Sequence, residues 1–274
     1  MKVSEIIVKI LVKEGVTDAF GIPGAGINPV YEYLKDAPIA HYCMRHEEAC
    51  GHAADGYFKA CHKIALAIVT SGPGATNLTT AMYSAYADSV PFLALTGQAN
   101  SGQLAQEPFQ CADIAKICEP VAKKTYCVTD ANSIPEVFNE AFRLMREGRP
   151  GPVLIDLPLD VQKADIDYDV ERYVPASVSK PEPGAEDIQK ALDLFAEART
   201  PLIIMGGGAT LADAEGDVVR LAEQLNTPVI TTYLAKGGIP SDHPLNAGHA
   251  GIQVGQPAGN RIFLDSDLVI GVGC

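Results

Sequence analysis

The sequence predicts an α/β protein built on parallel sheets, and three observations carry that reading. Short, almost uninterrupted apolar runs recur at 64–69, 91–95, 151–156, 201–205 and 228–231. Stretches with helical spacing of apolar residues lie between them, and glycine- or proline-rich turns follow several of the runs. Apolar runs without polar alternation suit strands buried on both faces, as in parallel sheets covered by helices.

Taken in order, Ile6, Ile7, Ile10 and Leu11 recur at helical spacing, and Ala19-Phe20-Gly21-Ile22-Pro23-Gly24 reads as a strand emptying into a loop. A helix over 48–61 leads to a strand at 64–69, a glycine-rich turn, a helix from 77, a strand at 91–95 and a turn at Thr96-Gly97-Gln98. Ser133-Ile134-Pro135 opens a helix over 136–146, and 151–156 is the last buried strand of this part. The composition then shifts. Acids together with Pro175, Pro181 and Pro183 fill 160–183 with little periodicity, the signature of a linker. An amphipathic helix over 188–198 follows, then a strand at 201–205, the loop Gly206-Gly207-Gly208, a helix over 212–225 and strands at 228–231 and 267–271. The expected division is a first domain over 1–160, a linker over 161–184 and a second α/β domain over 185–274 that is cut short.

A length of 274 residues suits two domains of about 100–200 residues each. The net charge of −13, with no basic cluster, argues against nucleic acid or an anionic membrane as partner. No apolar run approaches the ~20 residues that cross a bilayer, and Met1-Lys2-Val3-Ser4-Glu5 opens an amphipathic helix rather than a signal peptide, so a cytoplasmic protein is expected. The seven cysteines form no C-x-x-C pair and are odd in number; Cys43, Cys50, Cys61, Cys111, Cys118 and Cys127 read as reduced thiols. None of the six histidines has metal-ligand spacing.

The chemistry concentrates in Arg45-His46-Glu47-Glu48-Ala49-Cys50-Gly51-His52-Ala53-Ala54-Asp55-Gly56-Tyr57 and in Thr70-Ser71-Gly72-Pro73-Gly74-Ala75-Thr76-Asn77. Two acids at a helix start can be solvated charges favoured by the helix dipole. A carboxyl that exchanges protons near neutral pH instead needs small apolar neighbours, and Ala49, Gly51, Ala53 and Ala54 meet that need around Glu47. Gly24, Gly72 and Gly74 would let a flat ring lie against main chain while Pro73 stiffens the turn, although an ordinary strand-to-helix connection uses the same residues.

With these motifs go Phe109-Gln110, Leu95-Thr96-Gly97-Gln98 and Gly148-Arg149-Pro150-Gly151-Pro152-Val153. In this order and spacing, from residue 1 to 274, the chain resembles the acetolactate synthase and glyoxylate carboligase group of thiamine diphosphate enzymes. Gly26-Ile27-Asn28-Pro29, Leu159-Asp160-Val161-Gln162 and Gly259-Asn260 are more similar to glyoxylate carboligase (tartronate-semialdehyde synthase). The resemblance implies a pyrimidine-binding domain followed by an incomplete Rossmann-like domain. It also implies that Glu47 hydrogen-bonds a ring nitrogen of the cofactor's aminopyrimidine and drives it to the imino tautomer, which deprotonates the thiazolium carbon. Cofactor contacts fall by resemblance on Pro23, Gly24, Glu47, Pro73, Asn77 and Gln110, with Phe109 and Gln110 toward the substrate.

The implied activity is a decarboxylating carboligation of 2-oxo acids, most like glyoxylate carboligase. One departure points elsewhere: glyoxylate carboligases carry an apolar residue where this chain has Glu47. An acetolactate synthase large subunit acting on pyruvate is therefore the alternative, and a non-catalytic binding or regulatory fragment of the fold is the rival from another class. The family's active site forms between subunits, which implies a homodimer or homotetramer. Magnesium and the cofactor diphosphate are held in the family by a Gly-Asp-Gly motif and an Asn in a third domain; that motif is absent here, so this chain alone is expected not to turn over.

FAD is left open. Gly206, Gly207 and Gly208 lie where backbone N–H groups can receive its diphosphate. However, FAD-binding relatives tend to carry Thr-Leu-Met-Gly where this chain has Thr232-Tyr233-Leu234-Ala235, followed by Lys236.

Overall fold

A computed structural model describes residues 1–106, 108–252 and 256–274, and within them the chain divides into two α/β units, Met1–Ser179 and Lys180–Cys274. The first unit runs α1 (Val3–Lys13), β1 (Asp18–Gly21), α2 (Asn28–Leu34), β2 (Ala40–Cys43), α3 (Glu47–Cys61), β3 (Leu66–Val69), α4 (Pro73–Thr76) and α5 (Thr79–Asp88). It continues with β4 (Leu93–Gln98), α6 (Ile114–Cys118), β5 (Lys124–Cys127), α7 (Ile134–Arg146), β6 (Val153–Pro158) and α8 (Leu159–Lys163). All strand pairs of its sheet are parallel, in the order β2-β1-β3-β4-β6-β5.

Every residue of β3, β4 and β6 is buried, which explains why these strands are mostly apolar. The edge strands β2 and β5, Ala-His-Tyr-Cys and Lys-Thr-Tyr-Cys, carry no such run and were not expected from sequence. Helix α7 packs Ile134, Phe138, Ala141, Phe142 and Met145 inward at positions that repeat on one helical face, against Ile6, Ile7, Ile10 and Leu11 of α1 in the same core.

Two expectations give way to tertiary structure. Thr96-Gly97-Gln98 is not a turn but the end of β4, because Thr96 and Gln98 find hydrogen-bond partners in Asp156 on the neighbouring β6. Polar residues can sit in a buried strand when they are paired. Likewise, most of the expected linker over 161–184 belongs to the first unit. Val161, Ile166, Val170 and Tyr173 are buried in its core, and the Glu14 carboxylate accepts from Arg146, from the Tyr173 hydroxyl at 2.7 Å and from the Ala176 N–H at 2.8 Å.

The second unit runs α9 (Ala185–Glu197), β7 (Pro201–Met205), α10 (Gly207–Leu211), α11 (Glu215–Leu225), β8 (Val229–Thr231), β9 (Asn246–His249), α12 (Pro257–Asp265) and β10 (Leu268–Val272). Its parallel sheet has the order β10-β7-β8-β9 around a core of Ile203, Met205, Val218, Ala222 and Val229.

Candidate functional site

In the first sheet the chain steps from β1 outward to β2, then returns to β3 on the other side of β1. Ligands of open parallel sheets bind outside the strand C-termini at such a reversal. The loops that meet there are 22–26, after β1, and 70–74, after β3.

These loops touch. Thr70 Oγ1 accepts from the Gly26 N–H at 3.2 Å, and a Cβ on Gly24 would stand 2.5 Å from Thr70 Cβ, so only glycine fits. Gly72 has φ +58°, a left-handed conformation that suits glycine, and a Cβ there would stand 2.8 Å from Gln110 Cα. Pro23 and Pro73 stand exposed on the two loops.

Glu47 opens α3, where the helix N-terminus favours negative charge. The adjacent acids part company in the structure. Glu48 faces His46 and His52, 3.9 and 3.5 Å away, as a surface charge. Half-buried Glu47 instead turns to the loop after β3, where Asn77 Nδ2 donates to its Oε2 at 2.9 Å. A Cβ on Gly74 would lie 3.4 Å from Glu47 Oε1, so glycine leaves that second oxygen open toward the turn. Glu47 reaches Asn77 because α3 and α5 approach closely at Gly51, where a Cβ would fall 2.5 Å from Ala81 Cβ. Under Glu47, burial pushes the Cys50 thiol up to about 12, helped by the Glu47 charge, which keeps it neutral.

Segment 108–113 closes another side. Gln110 has φ +54° and packs on Gly72, while Phe109 is 87% exposed. The structure thus brings Glu47, Asn77 and Gly74 together, and Gln110 with Gly72, around the reversal that also holds Gly24. Two residues that hold this arrangement stand in motifs quoted from the sequence, but sequence reasoning gave them no role. One is Thr70. The other is buried Gln162, whose Nε2 donates to Gly26 O and Leu157 O, both at 2.7 Å; its partner lies 136 residues away, beyond any local signal.

In the second unit the expected diphosphate loop is differently employed. The Gly206 and Gly208 N–H groups donate to Val272 O and Gly273 O, each at 2.8 Å, so they hold the end of β10. A Cβ on Gly207 would meet Leu234 Cβ at 2.8 Å. The expected diphosphate loop thus gives two of its three glycine N–H groups to the chain itself, and close packing accounts for glycine at these positions.

Among the described residues no group of three or more His, Cys, Asp or Glu side chains is placed to hold a metal ion, and no helix is long and apolar enough to cross a membrane. Residues 1–117 match the family model for the thiamine pyrophosphate enzyme N-terminal TPP binding domain, and residues 188–274 that for the central domain. The chain is 45% identical over 275 residues to glyoxylate carboligase of Escherichia coli O157:H7, covering 100% of this chain and 46% of that protein. It is 42% identical over 281 residues to the probable acetolactate synthase large subunit of Methanocaldococcus jannaschii (100% and 47% covered). It is 41% identical over 277 residues to the acetolactate synthase large subunit of Corynebacterium glutamicum (98% and 44% covered). The chain spans about half the length of the curated relatives it matches.

Proposed function

Because this chain belongs to the thiamine pyrophosphate enzymes, with their N-terminal and central domains, we propose that its first unit supplies the pyrimidine half of a thiamine diphosphate site in a decarboxylating carboligase of 2-oxo acids. The observation that carries the reading is the paired Glu47 and Asn77 at the sheet reversal, with Glu47 Oε1 left open beside Gly74. The glycine-lined loops fit a flat ring. When bound, thiamine diphosphate supplies the nucleophilic carbon that adds to a 2-oxo acid and promotes loss of CO₂.

The rest falls to this chain. Asn77 Nδ2 donates to Oε2 and so orients the carboxyl, which leaves Oε1 to hold or release the proton exchanged with the ring nitrogen. Gly24, Gly72 and Gly74 admit the ring, Pro23 and Pro73 stiffen the loops that carry it, and Gln110 bounds the substrate side with Phe109. The 45% identity to a glyoxylate carboligase favours glyoxylate as the 2-oxo acid. Retention of Glu47 favours the second reading, pyruvate in an acetolactate synthase. Measuring carboligation of glyoxylate and of pyruvate by a longer protein bearing this chain separates the two, and inactivity toward both would overturn the reading.

Homodimeric or homotetrameric assembly and magnesium held with the diphosphate outside this chain belong to the same proposal. So does a cytoplasmic setting, which suits cysteines in the thiol form. The partners already held by the Gly206 and Gly208 N–H groups argue against FAD at this loop. Flavin released on denaturing purified protein, in amounts equal to the protein, would contradict this.

A further inference from the structure

Asp156 is a carboxyl that the proposed chemistry does not use. It lies on β6, 1% exposed, inside the sheet. Thr96 Oγ1 donates to its Oδ1 at 2.6 Å, and Gln98 Nε2 to its Oδ2 at 2.8 Å. The same Gln98 nitrogen also donates to Ala112 O at 2.7 Å. Ala112 is two residues from Gln110, which packs on Gly72 with a left-handed backbone. Such a conformation in a non-glycine residue persists only where its surroundings hold it.

We propose that Asp156 is a positioning residue: through Gln98 it anchors segment 108–113 against the turn at Gly72, and the anchor is firm when the carboxyl is ionised. An ionised carboxylate accepts on both oxygens, which suits the donors it faces, Thr96 and Gln98 with the Cys127 thiol beside them. Protonation converts one oxygen into a donor and weakens the pairing that fixes the Gln98 amide. The other titratable groups facing Asp156 are Asp113 before α6, Cys118 on α6 and Cys127 on β5, with Cys111 beside Cys127. Burial raises the Asp156 carboxyl to about 7, against the pull of Thr96 and Gln98, so the switch falls near neutrality. The consequence for substrate or cofactor rests on the function proposed above. The coupling itself does not.

The test is nuclear magnetic resonance titration of this chain without thiamine diphosphate, across about two pH units either side of neutrality. The Asp156 carboxyl carbon, the Gln98 side-chain amide and the backbone amides of residues 111–113 are followed together. Expected is one shared inflection, with amide exchange at 111–113 about tenfold slower above it than below, after correction for the intrinsic pH dependence. In Asp156→Asn the inflection at Gln98 and 111–113 disappears. In Gln98→Leu the carboxyl still titrates and the 111–113 amides no longer follow. Amides at 111–113 that ignore the carboxyl in the wild-type chain would overturn the proposal, as would amides that follow it equally in Gln98→Leu. The wild-type titration decides the matter if either variant fails to fold. Because no cofactor is present, failure here is distinct from failure of the thiamine diphosphate reading.

Discussion

Asn77 Nδ2 donates to Glu47 Oε2 across 2.9 Å, joining the start of α3 to the connection between α4 and α5. The bond commits one carboxylate oxygen and leaves the other free, so the two residues should act as a unit. In a longer protein that binds thiamine diphosphate, Glu47→Gln should slow deuterium exchange at the thiazolium carbon by about a hundredfold or more, because an amide cannot exchange the proton. Asn77→Ala should slow it by about tenfold, by freeing the carboxyl to turn away. Both variants should keep the circular dichroism spectrum of the parent. Wild-type exchange in Glu47→Gln would remove Glu47 from the proposed role.

Gly51 sets that pair through helix packing. A side chain at this position collides with Ala81, so Gly51→Val should destabilise the first unit by about 1–3 kcal/mol. Urea denaturation measures the loss. Any folded population should show a weakened Glu47–Asn77 contact, readable as a shift of the Asn77 side-chain amide resonance.

The strap over 164–179 depends on one carboxylate. The Glu14 side chain is fully buried and serves Arg146, Tyr173 and Ala176. Removing it in Glu14→Ala strands a partly buried guanidinium and two donors, a change that should cost about 3–5 kcal/mol. Limited proteolysis should then cut within 164–179 at protease levels that leave the parent intact. Unchanged stability would mean the strap is held by its apolar residues alone.

Asp156 should also make stability depend on pH. Its folded value of about 7 lies above the ordinary 3.8, so the native state binds the proton more tightly than the unfolded chain between those values. This contribution to stability is therefore greatest in acid and falls as pH rises from about 4 to about 7, as linkage requires. Asp156→Asn removes the dependence. The stability difference between parent and variant should change by about 1 kcal/mol or more between pH 5 and pH 7, measured by denaturant unfolding. A difference that stays constant with pH would show that the carboxyl does not titrate in this range.

How much was legible follows from where each residue packs. The central strands β3, β4 and β6 could be read because burial on both faces demands apolar residues. Helices α1 and α7 could be read because one buried face imprints a helical repeat. The edge strands β2 and β5 could not, since exposed strands carry no such demand. The strap over 164–179 was misjudged for a related reason: a few anchors, Ile166, Val170 and Tyr173, at irregular spacing leave no period to detect.

By itself, then, the sequence determined the α/β class, the glycine turns after β1 and β3 and the two acids at the head of α3, because each is set by local pattern. Which acid turns inward was decided only by the tertiary structure. So were the spending of the Gly206 and Gly208 N–H groups on β10 and the joining of Asp156 through Gln98 to segment 108–113. Each of those outcomes depends on partners 14 to 66 positions apart in the chain, from Gln98 and Ala112 to Gly206 and Val272, brought together by the sheet. Side-chain identity states what a residue can donate or accept; only the fold states who is within reach.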